Sequence, residues 1–255
     1  MLRAAYVDMD GTLLGRRASL FHDADGAFTM LGARALEACA RAEVEVVPYS
    51  GRRQSTLLHN AVMLGLRSWI YEAGCGMVID GELQLLTEEI DDAAANALLL
   101  SHYGGRLEMY DPWNRGRESS RLYLGFGVEV AEADELLIEE GFGAWRLVDN
   151  GVMHGAAAGG RAYHLVPREA SKARAVAAHM QARGSVADEV IAVGDSMEDL
   201  GAASVVGTFW LVADAEPAVH DAARALANVR VAEGSNGAGV YEAIITELAE
   251  RRTGS

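Results

Sequence analysis

Positive charge is scarce in this 255-residue chain, where Lys and Arg number 22 against 37 Asp and Glu and leave a formal charge of −15. That balance works against broad contact with a nucleic-acid backbone or an anionic membrane surface. It leaves a small anionic ligand open, because helix N-termini, a few local cations or a bound metal outweigh the mean field inside one cleft. Cysteine is nearly absent: Cys39 and Cys75 lie far apart, in no CxxC or Cys/His spacing, which argues against a disulfide framework and a zinc site. Both read as buried, reduced thiols. Long hydrophobic runs are missing too, and nothing approaches the roughly 20 apolar residues of a spanning helix. The chain passes through one short apolar run into Asp8 and Asp10 with no segment of signal-peptide length before them, so a cytoplasmic protein is the expectation. What is present is a 50% hydrophobic composition, ample for one large or two modest cores without staples.

The apolar pattern changes character twice. Ala4 to Val7, Val44 to Pro48 and Trp69 to Tyr71 are short apolar runs separated by helix-like stretches, 29–42 and up to Leu64, and this alternation predicts a parallel sheet with right-handed crossovers. From Met77 the pattern becomes a hairpin around Asp80-Gly81, followed by helices near 91–102 and 131–140 and strands near 106–110, 121–128, 145–149 and 163–166, as in a small α+β unit with an antiparallel sheet. Beyond Pro167 the alternation resumes, with strands at 190–193, 209–212 and 228–231 and a last helix from about Val240. The expected architecture is therefore an α/β core built from residues 1–81 and 160–255, with a second domain inserted at 82–159. The Gly155 to Gly160 stretch is the candidate hinge.

Open parallel sheets bind ligands beyond the C-terminal ends of their strands. Those ends carry Asp8-Met9-Asp10-Gly11-Thr12, Ser50-Gly51-Arg52-Arg53 and Gly194-Asp195-Ser196-Met197-Glu198-Asp199, while Lys172 opens the helix that leads back into the core. Asp8 and Asp195, from two strand ends, suit one shared hard cation such as Mg²⁺, which would hold neighbouring carboxylates ionised and polarise a phosphoryl group. Thr12, Ser50, the Gly51 amide and Lys172 form the candidate phosphate-binding set. Aspartate attacks phosphorus to give an aspartyl-phosphate, so Asp8 is the candidate nucleophile and Asp10 the acid/base that protonates the leaving oxygen and then activates water.

In that order, Asp8-x-Asp10-Gly11-Thr12, Ser50, Lys172 and Gly194-Asp195-Ser196-x-x-Asp199 resemble the four motifs of the haloacid dehalogenase (HAD) phosphatase superfamily, across nearly the whole core. The insert lies between the second and third motifs, like that of the subgroup with an α/β cap there, which includes Cof-type sugar phosphatases and the sucrose-phosphate, trehalose-phosphate and mannosyl-3-phosphoglycerate phosphatases. Gly159-Gly160-Arg161-Ala162-Tyr163-His164-Leu165 followed by Lys172 is similar to the last of these. The resemblance implies a Rossmann-like core, Mg²⁺ held by Asp8, the main-chain oxygen of Asp10 and Asp195 with support from Asp199, and a phosphomonoesterase acting on a small phosphorylated metabolite, a sugar or polyol phosphate. A phosphomutase is the alternative, followed by a non-catalytic phospho-receiver or binding protein. The subgroup usually has Asn before the last Asp, where this chain has Glu198, an added negative charge beside the cation.

Around this set stand weaker candidates for substrate contact: Arg52, Arg161, and His154 and His164, two histidines in or beside the insert. Residues 110–118, Tyr-Asp-Pro-Trp-Asn-Arg-Gly-Arg-Glu, mix aromatic and charged side chains as sugar-phosphate pockets do. Nothing in the pattern demands an obligate protein partner.

Overall fold

In a computed structural model the described residues are 1–88, 91–153 and 159–253. In chain order the elements are β1 Ala4–Val7, α1 Leu31–Arg41, β2 Glu45–Pro48, α2 Gln54–Met63, β3 Ser68–Tyr71, β4 Gly76–Ile79, β5 Glu82–Leu85, α3 Ala93–Tyr103, β6 Leu107–Met109, β7 Arg121–Gly125, α4 Val130–Glu139, β8 Trp145–Val152, β9 Arg161–Pro167, α5 Lys172–Arg183, β10 Val190–Gly194, α6 Met197–Leu200, β11 Thr208–Leu211, α7 Pro217–Ala223, β12 Val229–Val231 and α8 Asn236–Thr253.

The core sheet runs β12-β11-β10-β1-β2, parallel throughout. Its central strands β1 and β10 are apolar at every position because both faces are covered, and their two-residue period divides the side chains cleanly. Ala5, Val7, Ile191, Val193 and Trp210 join one hydrophobic cluster with α1 and α8. Ala4, Tyr6, Val190, Ala192, Phe209 and Leu211 join the opposite one with α5 and α7. Cys39 lies in the first cluster, and burial pushes its thiol up to about 12. Cys75 is fully buried and its thiol is also raised by burial. Helix α5 starts on Ser171, whose hydroxyl accepts the Arg174 amide, and stops at Gly184 in the left-handed region.

The third apolar run, β3, meets the core sheet through a single parallel bridge, Tyr49 to Ile70, and pairs antiparallel with β4. The β4–β5 hairpin turns at Asp80 and Gly81, both at positive φ, as an Asp-Gly two-residue turn requires. A separate antiparallel sheet, β6-β7-β9-β8, carries its own apolar cluster under α3 and α4, including Leu99, Tyr123, Leu137, Leu147, Tyr163 and Leu165. The expected boundary at 159/160 falls too early for this sheet: Arg161–Pro167, assigned to the core from the sequence, pairs with β7 and β8. At the other end, β5, assigned to the insert, pairs with β4 beside the core. The sequence shows each segment's period but not its partner. His154 and residues 155–158 of the candidate hinge lie outside the described residues. Among the described residues no helix is long and apolar enough to cross a membrane.

Candidate active site

The C-terminal ends of β1, β2 and β10 and the N-terminus of α5 meet at one point. Lys172, the first residue of α5, is buried, and its Nζ donates to Asp8 Oδ1 at 2.6 Å and Asp199 Oδ1 at 2.5 Å. The same ammonium sits 4.9 Å from the centre of the Tyr49 ring, so its fourth side is an aromatic face. Burial works against the Lys172 charge, but Asp199 and Asp8 outweigh it and hold the ammonium above its ordinary range. Asp8 is raised well above the usual carboxylate range, first by burial and then by Asp199 and Asp195, with Lys172 opposing. Asp195 is pushed up to about 7, chiefly by burial and the Asp199 charge.

Asp8, Asp195 and Asp199 each place a carboxylate oxygen within 4.8 Å of the others. A set of hard oxygen donors whose carboxylates are strained toward protonation fits a hard divalent cation. Asp199 is also the framework of its loop: its Oδ2 accepts the Ser196 hydroxyl at 2.6 Å and the Ser196 and Asp195 amides, closing a capping box at the start of α6. Two glycines permit this crowding. A Cβ on Gly194 would lie 2.3 Å from the Asp199 Cβ, and one on Gly11, at φ +89°, would lie 2.6 Å from Asp195 Oδ2.

The remaining sequence candidates divide. Ser50 is buried, its amide donates to Ile70 and its Oγ accepts the Arg52 amide at 3.2 Å. Thr12, expected among the phosphate-binding groups, instead donates its hydroxyl to Asp195 Oδ1 at 2.6 Å, which orients that carboxylate. Asp10 is half-exposed, its side chain outside the carboxylate cluster, and Arg52 grips both its oxygens at 2.6 Å while also bonding Asn60. Arg161 is held between Asp149 and Glu216, at 2.7 and 2.9 Å. His164, on β9, is buried with its ring against Gly51. Glu198, the departure from the family pattern, is met by Arg146 of β8 at 2.7 Å, so a side chain of the inserted sheet neutralises the added charge.

Two groups escaped the sequence reading. Asn236 Nδ2 donates to the Gly11 carbonyl at 2.6 Å, tying the first residue of α8 to the loop after β1. It lies just beyond β12, so the strand-end rule applied to the last strand would have found it. Glu72, fully buried, accepts the amides of Glu118 and Ser119 and the Ser120 hydroxyl, anchoring the loop between β6 and β7 to the core. No local pattern announces it.

Residues 149–244, which hold the third and fourth motifs, match the haloacid dehalogenase-like hydrolase family. The match covers 96 of the chain's 255 residues and marks a likeness to that family. Similar proteins among the curated relatives are named as phosphatases. A phosphoglycolate phosphatase of Archaeoglobus fulgidus is 26% identical over 95% of each chain, and one of Pyrobaculum neutrophilum is 29% identical over 93% of this chain and 92% of that protein. Among solved structures, the chain superposes on a Thermoplasma acidophilum protein with a TM-score of 0.71 at 20% identity, covering 97% of this chain and 99% of the other. The sucrose-phosphatase of Synechocystis, solved with sucrose and phosphate, gives 0.75 at 16% identity, covering 97% and 98%. Both share the fold with a cap.

Proposed function

We propose that the protein is a Mg²⁺-dependent phosphomonoesterase that hydrolyses a small phosphorylated metabolite through an aspartyl-phosphate on Asp8. The observation that carries this reading is the Lys172 ammonium buried between Asp8 and Asp199, at the end of a parallel sheet and beside Asp195. Asp8 and Asp195, the Asp10 carbonyl and the supporting Asp199 would hold the metal, which supplies Lewis-acid stabilisation of phosphoryl oxygens.

Lys172 fixes Asp8 through Oδ1, and Oδ2 attacks phosphorus as the bond to the leaving oxygen breaks. Ser50, the Gly51 amide and Lys172 hold the phosphoryl oxygens. Asp10 gives its proton to the departing alkoxide. It then takes one from the water that cleaves the acyl phosphate, returning Asp8 and releasing inorganic phosphate. For this Asp10 must give up at least one of its two bonds to Arg52, which makes Arg52 the group that positions the acid/base between turnovers. The inserted sheet, from about residue 87 to 167, acts as a cap that covers the substrate and excludes water. The substrates to consider are sugar and polyol phosphates, as for sucrose-phosphatase, and phosphorylated hydroxy acids, as the curated relatives' names imply.

The test is phosphate release from a panel of such esters with Mg²⁺ or with EDTA. Metal-dependent release that falls by at least about 10⁴-fold in Asp8→Asn is the expected result. Turnover retained in that variant refutes the covalent route, and isomerised ester without free phosphate decides for a mutase.

A further inference from the structure

In this acidic chain several arginines around the cap lie against a carboxylate: Arg121 on Asp92, Arg146 on Glu198, Arg161 on Asp149 and Glu216, Arg168 on Asp134. Three at the junction of cap and core do not. Among the described residues Arg53, Arg115 and Arg117 form no ion pair. Arg53, at the end of the Ser50–Arg53 loop, donates to the Thr56 hydroxyl and across the junction to the Arg115 carbonyl. Arg117 donates to the Trp113 carbonyl and the Ser120 hydroxyl. All of these partners are neutral. The Arg117 guanidinium is lowered to about 10, by burial first, with the charges of Arg53 and Arg121 adding to it against the pull of Glu72. Glu72 is itself occupied by the Glu118 and Ser119 amides and the Ser120 hydroxyl. Cations gathered without counterions repel one another, and an anion placed among them relieves that repulsion.

A second observation points to the same place. His164 is 3% exposed and its Nδ1 has no hydrogen-bond partner. Its ring lies so close to the phosphate loop that a Cβ on Gly51 would be 3.1 Å from Nε2, with Asn150 Nδ2 at 3.5 Å. Burial, then the charges of Arg117 and Lys172, keep this imidazole neutral. Unused polar capacity of this kind, beside the proposed phosphate site and a group of guanidinium ions that form no ion pair among the described residues, is costly unless a ligand completes it. A neutral sugar or polyol leaving group leaves the positive charge without a use.

We infer that Arg53, Arg115 and Arg117, with His164 beside them, form a second anion subsite, so that the preferred substrate carries a carboxylate or second phosphate a few carbons from the scissile ester. Guanidinium groups engage either anion bidentately. The inference rests on the phosphatase reading and narrows its substrate class.

Binding to the Asp8→Asn protein in Mg²⁺ separates the two. Three ligands of one carbon skeleton serve as probes in calorimetric titration: ethyl phosphate, 2-phosphoglycolate and the bisphosphate of ethane-1,2-diol. At least one two-anion ligand binds about 100-fold more tightly than ethyl phosphate, and which one identifies the second group. Arg117→Gln and Arg115→Gln, each added to that background, reduce the preference about tenfold. Arg115 lies on an exposed loop, so its variant covers the case in which the Arg117 variant fails to fold. Equal affinity for the three ligands, no binding of any, or a preference untouched in the variants overturns the subsite. Tight, arginine-dependent binding together with no phosphate release by the native protein would instead leave the subsite standing and remove the phosphatase reading.

Discussion

The strands of the parallel core and those of the cap both alternate, but they spend the alternation differently. In β1 and β10 both faces are apolar, and the polar groups stand past the strand ends, where Asp8, Asp199 and Lys172 compose one buried network beside Asp195. In β9 the chemistry lies within the strand. Tyr163 and Leu165 face the cap's own helices, whereas Val166 packs with Ala73, Cys75, Val148 and Ala170 at the junction, and His164 lies over Gly51. The core therefore holds its candidate catalytic groups in mutual buried contacts, and the inserted sheet presents His164 and Val166 on the side turned toward the core. On the proposed function, chemistry and selectivity separate along that line.

The separation is open to attack at three points. The largest effect belongs to Lys172→Met, which leaves two buried carboxylates facing each other. In EDTA, denaturant unfolding should show a loss of about 3–5 kcal/mol, the cost of breaking a buried pair from one side. A loss under about 1 kcal/mol would mean that the core network does not hold the site together.

An intermediate effect comes from His179, buried against Tyr6, whose hydroxyl lies 2.9 Å from Nδ1, with Glu45, Arg183 and Asp80 as the charges that face it. Burial lowers its pKa in the folded state, so the native ring stays neutral where the unfolded one, near 6.5, takes up a proton. Its contribution is therefore complete above about pH 6.5 and is lost as pH falls below that value, by up to about 1.4 kcal/mol per pH unit. Unfolding free energies at pH 7.5, 6.5 and 5.5 should decline on the acid side, less steeply in His179→Asn. An unchanged slope in the variant assigns the acid sensitivity elsewhere.

The smallest effect is expected at the junction. Arg146 and Glu198 are only partly buried, and Arg146→Gln should cost about 1 kcal/mol or less in global stability while hydrogen exchange in β8 speeds up. A cost equal to that of Lys172→Met would show cap and core to be one cooperative unit.

How far the sequence revealed the site follows the same division. Asp8, Asp10, Ser50, Lys172 and Asp195 were legible because each follows a short apolar run or opens a helix, and the strand-end rule turns that position into a location. Asn236 and Gly11 are 225 positions apart, and Arg146 and Glu198 are 52 apart, so their contacts depend on tertiary packing that no local pattern encodes. Thr12 shows the intermediate case: its place beside the site was readable, but the partner of its hydroxyl was not. The partners of β9 were hidden for a similar reason, since it carries an ordinary strand pattern that serves either sheet.

The two thiols have a practical consequence. Cys39 and Cys75 are sealed in the interior, and burial holds both in the protonated, unreactive form. Alkylating dyes therefore have no native target on the folded protein, and a pair of cysteines introduced on exposed positions of α4 and α1 would take a donor and an acceptor fluorophore without any background substitution. Distance between cap and core then becomes a spectroscopic quantity, readable in solution during catalysis.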